Sequence, residues 1–328
     1  MKIEKIANNS YRVRKTYKKH TYTVYFDHKP TEKEVTIAVA EKLENDSNGK
    51  KGTFEKFAND YIEGRRNVVS PSTVRTYKIK LKQLSDEFKG LNIYAIENKD
   101  VQKEVNNLAK KLEPKTVKTT YGFISSVMTL YRPHLKLKIK LPQTIKKDEY
   151  EPTNEDIQRI LERAKGTEYS IPFQLGVLGC RRGEICALDM QDLKGNELNI
   201  HRTMVCNEDN KWEIKETPKT DESNRLLPLP SSLVNEIKMQ GYIYDNHPNA
   251  LNKAIHRFQK QLGIPQFKFH TLRSYFASYA HSIGISDADI LKIGGWATDS
   301  VMKRVYRKSI EESKKESIDK ITKGLFGN

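Results

Sequence analysis

Two stretches of this chain, a turn-forming run and a proline-bearing basic run without a helical period, divide the rest. Residues 45–52 (NDSNGKKG) are turn and linker formers throughout. Residues 133–150 (PHLKLKIKLPQTIKKDEY) are basic, hold two prolines and show no helical period, so they read as an extended connector. A chain interrupted in this way folds around separate cores, with boundaries expected at 1–50, 51–145 and 146–328. The length of 328 residues agrees, since domains run to roughly 100–200 residues each. A hydrophobic content of 37% suits several modest cores better than one large one. The expected fold is multidomain and mainly α: a small α/β N-terminal module, a helical domain, and a mixed α/β domain with a small antiparallel sheet.

The first segment reads as strand, strand, helix. Tyr11 and Val13 alternate with Arg12 and Arg14, Lys15 follows, and Lys18-Lys19-His20 make a polar turn. Thr21 to Phe26 (TYTVYF) is rich in strand formers. Thr31 with Glu34 three residues on is a capping box opening a helix that runs to about Glu44.

Residues 53–132 read as helix. Ser70-Pro71 is an N-cap with proline at the first helical position. Val74, Tyr77, Leu81, Leu84 and Phe88 then form one apolar stripe, with Arg75, Lys78 and Lys82 on other faces. A second helix spans about Lys115 to Tyr131 with Val117, Tyr121, Ile124 and Met128 as its stripe. Beyond the connector, Thr153 and Asp156 form another capping box. Helical pattern then dominates, except near 197–229. There Glu197 to Val205, Lys211 to Thr217 and Arg225 to Leu229 are expected to form a small antiparallel sheet.

Charge points to the partner. The formal net charge is +16. Residues 1–50 contribute +4, residues 51–150 contribute +10 and residues 151–328 only +2. A general enrichment in lysine would spread the excess evenly. Concentration in the first 150 residues suggests two modules that contact a polyanion, ahead of a nearly neutral domain with another task. Arg12, Arg14, Lys15, Lys18 and Lys19 in the first module, and Arg75, Lys78 and Lys82 in the second, are the candidate DNA contacts.

Several functions are set aside. No apolar run approaches the roughly 18 residues of a membrane span. The start, MKIEKIANNS, shows no secretion signal. Cys180, Cys186 and Cys206 make neither a disulfide framework nor a zinc ligand set, as expected of a reducing cytoplasm. GxxxxGK[ST], HExxH and GxSxG are all missing, and the eight histidines are scattered.

Four local patterns remain. Gly179 to Glu184 (GCRRGE) puts an arginine at a helix–turn–helix junction beside glycine and glutamate; alone, it reads first as a helix end with solvated arginines. Pro218 to Arg225 (PKTDESNR) puts Lys219 in a β-turn, where lysine is normally solvated. His270 to Arg273 (HTLR) places a histidine and an arginine on one helical face, as a satisfied surface pair also would. Gly294-Gly295-Trp296 precedes Tyr306 by about one helix length, and a lone tyrosine is usually packing.

Taken in order, these patterns resemble the tyrosine recombinase (phage integrase) family. The resemblance covers about residues 150–310, and more loosely the first 150, whose layout is similar to an arm-binding β module followed by a helical core-binding domain. It implies a catalytic set of Arg181, Lys219, His270, Arg273, Trp296 and Tyr306, with Glu184 orienting the site from behind. Trp296 stands where most members have histidine, so hydrogen-bond donation or packing replaces proton transfer there. The implied reaction is site-specific DNA breakage and rejoining through a 3′-phosphotyrosine link, with no cofactor and no metal.

The resemblance also implies the partners. These are double-stranded DNA attachment sites, a homo-tetramer in synapsis from a protein monomeric in free solution, and an excisionase-type or host DNA-bending accessory protein, with no membrane. The implied location is the bacterial cytoplasm, on the nucleoid when DNA is bound. Residues 309–328 form an expected helix with Ile310, Ile318, Ile321 and Leu325 on one face, docking either on its own domain or on a neighbour. Two rivals stand beside this reading. A type IB-like topoisomerase shares the nucleophile chemistry but has no use for a separate basic β module. A non-catalytic DNA-binding regulator on the same fold has no use for Tyr306.

Overall fold

The computed structural model describes residues 2–6, 10–17, 20–47, 52–144, 150–216 and 224–298. The chain divides into two units, residues 1–70 with 76–144, and residues 71–75 with 145–328.

In the first unit, β1 (Lys2–Ile6), β2 (Ser10–Tyr17) and β3 (His20–Phe26) form an antiparallel sheet in the order β1-β2-β3. The register sets Arg12 opposite Glu4 and Val13 opposite Val24. Helix α1 (Glu32–Ser47) starts at the Thr31 capping box: the Glu34 amide donates to Thr31 Oγ1, and the Thr31 amide to Glu34 Oε2. It runs three residues beyond the expected end. Val13, Val24, Val35 and Val39 make a core of their own, because period 2 in the strands and period 3.6 in the helix turn these four inward.

The remainder of this unit is helical: α2 (Phe54–Glu63), α3 (Pro71–Gln83, of which residues 76–83 belong to this unit), α4 (Asp86–Gly90), α5 (Asn98–Ala109) and α6 (Pro114–Tyr131). The stripe expected on a single helix is shared by two. Leu81, Leu84 and Phe88 are all buried, but the helix stops at Gln83 and restarts after Ser85. Ser85 Oγ accepts from the Phe88 amide at 3.2 Å and donates to the buried carboxylate of Glu104 at 2.5 Å. A side chain that caps a new helix breaks the old one. On α6, Phe123 and Val127 join Val117, Ile124 and Met128 in the core, while Tyr121 is only half-buried. Residues 135–144 form neither helix nor strand.

The second unit begins with α7 (Asn154–Ala164) at the Thr153/Asp156 capping box, then α8 (Ser170–Val177) and the short α9 (Arg182–Ile185). Strands β4 (Leu193–Lys194), β5 (Glu197–Ile200), β6 (Thr203–Cys206), β7 (Trp212–Lys215) and β8 (Arg225–Pro228) follow. Helices α10 (Ser231–Gln240), α11 (Pro248–Leu262), α12 (His270–Ser282) and α13 (Asp287–Gly294) complete it. Phe173 on α8 lies centrally, its ring 5.6 Å from that of Phe258 and 5.5 Å from that of Phe269.

The strands differ from the single sheet expected. Strand Glu197 to Val205 breaks at His201-Arg202, leaving a three-stranded sheet β4-β5-β8 and a separate β6-β7 hairpin, both antiparallel. The cause is local charge. His201 Nε2 lies 2.8 Å from Asp192 Oδ1, and the Arg202 guanidinium donates to Asp192 and Asp189. Two successive side chains drawn toward the one carboxylate of Asp192 cannot keep strand alternation. No helix among the described residues is long and apolar enough to cross a membrane.

Candidate active site

The site grows from two glycine turns. Gly179 ends the α8 segment with φ +92°, a region that favours glycine, and a Cβ there would stand 3.0 Å from the Phe276 ring. This conformation frees the Gly179 carbonyl to accept from Arg273. Gly295 ends α13 with φ +64° and turns its own carbonyl toward Arg181, whose guanidinium donates at 2.8 Å. Gly294 is needed for space: a Cβ on it would fall 1.8 Å from Cζ3 of Trp296.

Arg181 is the N-cap of α9. Its backbone N–H donates to Glu184 Oε2 at 2.9 Å and its guanidinium to Glu184 Oε1 at 2.5 Å. Glu184 is 3% exposed. Burial alone would raise its carboxyl, but Arg225 and then Arg181 outweigh that and hold it below the ordinary glutamate range, so it is ionised.

Arg273 is not half of a surface pair. It is 2% exposed, and its guanidinium donates to the carbonyls of Gly179 and Gly294. The guanidinium carbon stands 3.8 Å from the centroid of the Trp296 ring, which in turn stacks on Phe276. The remaining terminal nitrogen, NH2, is buried without a hydrogen-bond partner among the described residues. Burial and the nearby charge of Arg181 push this guanidinium down to about 9, which leaves it charged at neutral pH.

His270 opens α12, one turn before Arg273, with its outer surface open to solvent. The protein packed around the imidazole, and then Arg273, Arg181 and Arg182, hold it below the usual histidine value. It is therefore neutral at pH 7 and able to accept a proton. Cys180, next to Arg181, is buried, which pushes its thiol up to about 12, so it offers no thiolate.

Arg181, Glu184, His270, Arg273 and Trp296 thus gather in one unit, while Lys219 and Tyr306 lie outside the described residues. Among the candidate DNA contacts, Arg12 pairs across the strands with Glu4, Arg14 and Lys82 are exposed, and Lys15, Arg75 and Lys78 are half-buried. Lys18 and Lys19 lie outside the described residues. One member of this buried cluster escaped the sequence reading. Arg225, at the start of β8, is buried and donates to Glu184 at 3.0 Å and to the Ile293 carbonyl at 2.8 Å. The signal was present: by strand alternation Arg225 falls on the same face as Leu227, which is inward.

Comparison with known proteins agrees along the chain. Residues 53–109 match the model of the phage integrase N-terminal SAM-like domain, and residues 152–313 match that of the phage integrase family. A tyrosine recombinase XerC-like protein of Caldanaerobacter subterraneus subsp. tengcongensis is 24% identical over 285 residues, covering 72% of this chain and 73% of that protein. Among solved structures, the Tn1549 transposon integrase in complex with a circular intermediate DNA superposes with a TM-score of 0.66 at 15% identity, over 80% of this chain and 99% of that one. A lambda integrase tetramer bound to a Holliday junction gives 0.58 at 13% identity, over 92% and 94%. With both family models matched in order, and the second spanning the site just described, the chain belongs to the phage integrase family of tyrosine-type, site-specific DNA recombinases.

Proposed function

We propose that this recombinase breaks and rejoins double-stranded attachment sites with Tyr306 as nucleophile and Arg181 and Arg273 as the phosphate clamp. The observation that carries this is the buried NH2 of Arg273. A buried guanidinium nitrogen without a partner is costly unless a ligand completes it, and Arg181 converges on the same helix end. A phosphodiester fits, because its non-bridging oxygens accept paired guanidinium hydrogen bonds and gain charge in the transition state.

The step balances as follows. The Tyr306 oxygen bonds to phosphorus, its proton passing to neutral His270. The bond from phosphorus to the 5′-oxygen breaks, and Lys219 gives that oxygen a proton. The phosphotyrosine ester conserves the bond energy, and a 5′-hydroxyl from a second duplex reverses the step. Trp296 supports Arg273 from behind and moves no proton. In this proposal residues 1–50 contact arm sites, residues 51–145 clasp the core site and residues 146–328 carry the chemistry. Four copies synapse two duplexes in the bacterial cytoplasm, and the structural likeness to lambda integrase, solved as a tetramer on a Holliday junction, supports that assembly. An excisionase-type or DNA-bending accessory protein would set direction.

The test uses nicked suicide duplexes cut from the DNA flanking the gene. Tyr306→Phe should bind them as the wild type does and form no covalent adduct on denaturing gels; a surviving adduct would remove Tyr306 as nucleophile. Arg181→Ala and Arg273→Ala should each slow single-turnover cleavage by about 10²–10³-fold, the scale for one preorganised oxyanion donor. Losses under about tenfold for both would mean that the clamp is misassigned.

A further inference from the structure

Three arginines grip three consecutive carbonyls at the C-terminal end of α13. Arg225 donates to Ile293, Arg273 to Gly294 and Arg181 to Gly295. The last carbonyls of a helix lack internal donors and carry the negative end of its dipole, so cations belong there. Two of these arginines are the phosphate clamp. The third, Arg225, has no place in it: its side chain is 4% exposed, with Nε on Ile293 and NH2 on Glu184.

Glu184 lies between two guanidiniums. Arg225 and Arg181 both reach its carboxylate, so the single negative charge is shared. Were Arg225 removed, Arg181 alone would have to neutralise a buried carboxylate, and its guanidinium would be drawn back from the phosphate side. The carbonyl of Ile293 would also lose its donor, three residues before Trp296. We infer that Arg225 is a positioning residue for DNA cleavage. By holding Glu184 and the end of α13 together, it keeps Arg181 oriented toward the phosphate and fixes the segment that leads to Trp296. The inference rests on the functional reading above, and the experiment separates the two.

The full-length protein is assayed on a nicked suicide duplex from the gene's flanking DNA, with binding measured by gel shift and folding by thermal melting. Arg225→Gln should bind the duplex unchanged and cleave about 10²-fold more slowly, the scale for a reacting group misplaced by about an ångström. Arg225→Lys keeps the charge but cannot span both acceptors, so its rate should fall between. The decisive variant is the double one, Arg225→Gln with Glu184→Gln. If Arg225 acts by balancing the charge of Glu184, neutralising the carboxylate should restore cleavage at least about fivefold over Arg225→Gln alone, as coupled neighbours do. Arg225→Gln cleaving within about twofold of wild type would overturn the inference, as would a loss in all variants that simply tracks the melting temperature without rescue by Glu184→Gln. A wild-type protein that forms no adduct would instead overturn the functional reading, and the inference with it.

Discussion

Trp296 and Gly294 form a matched pair. The indole lies so close over Gly294 that any Cβ would collide with it, and its face carries the guanidinium of Arg273. Gly294→Ala should therefore act through tryptophan, driving the ring off Arg273 and slowing cleavage nearly as much as Trp296→Ala. Trp296→His should be tolerated, because a flat ring with an N–H remains behind the guanidinium. Equal single-turnover rates for the alanine and histidine variants of Trp296 would deny the position any role at the site. His270 gives a pH dependence with a definite sign. Its packing and the surrounding guanidiniums hold its pKa below the ordinary 6.5, so it stays neutral until the solution falls through that lowered value. Cleavage should be level near neutrality and fall on the acid side, with a midpoint below 6.5, and His270→Gln should remove that limb. A midpoint above 6.5 would contradict a base kept neutral by these neighbours.

Pattern reading missed two edge strands, β1 and the two-residue β4, and otherwise parts from the structure where helices and strands break. Periodicity located α6 to within a residue and carried the burial of Leu81, Leu84 and Phe88, since one stripe is the same stripe whether one helix or two supply it. The break at Ser85 depends on Glu104, nineteen residues away, and no local window holds both. Likewise Glu197 to Val205 has uninterrupted strand propensity, and only the return of Asp189 and Asp192 to His201 and Arg202 splits it. Arg225 was hidden for the same reason. Its alternation was visible, but its partners, Glu184 and Ile293, are brought by the fold from 41 and 68 residues away. The motif arginines were legible because their glycines, capping carboxylate and histidine lie within a few positions. Ser85→Ala tests the long-range cap. It removes a helix N-cap and a donor to a buried carboxylate, and should cost about 1–2 kcal/mol in urea unfolding. Cleavage per folded molecule should not change, since Ser85 and Glu104 lie in the helical unit and not at the arginine cluster.

For the whole molecule, the open question is whether residues 1–50 act as a second DNA-reading module. The sheet and α1 close a core of four valines from this segment alone, so the module has its own reason to fold. Of its candidate contacts, Arg12, Arg14 and Lys15 lie along β2, where Arg14 is exposed, although Arg12 is held by Glu4. A small sheet can lay such side chains in a groove of DNA, and phosphate contacts made this way weaken steeply with salt. Against this stands an ion pair between Asp27 and Lys138, at 2.5 Å, which joins the module to the connector and would suit a segment that merely pads the helical unit. The two cases predict different losses. If the module reads arm sites, deleting residues 1–50 should leave cleavage of an isolated core-site duplex intact and abolish efficient recombination between two full sites. If it is padding, the deletion should lower stability and both reactions together. Gel shifts of the full chain and of the deletion, on flanking DNA and on random DNA across a salt series, separate the cases further. The full chain should hold flanking DNA with the steeper salt dependence, because more phosphates are neutralised. Identical salt slopes and identical discrimination in the two proteins would exclude an arm-reading role.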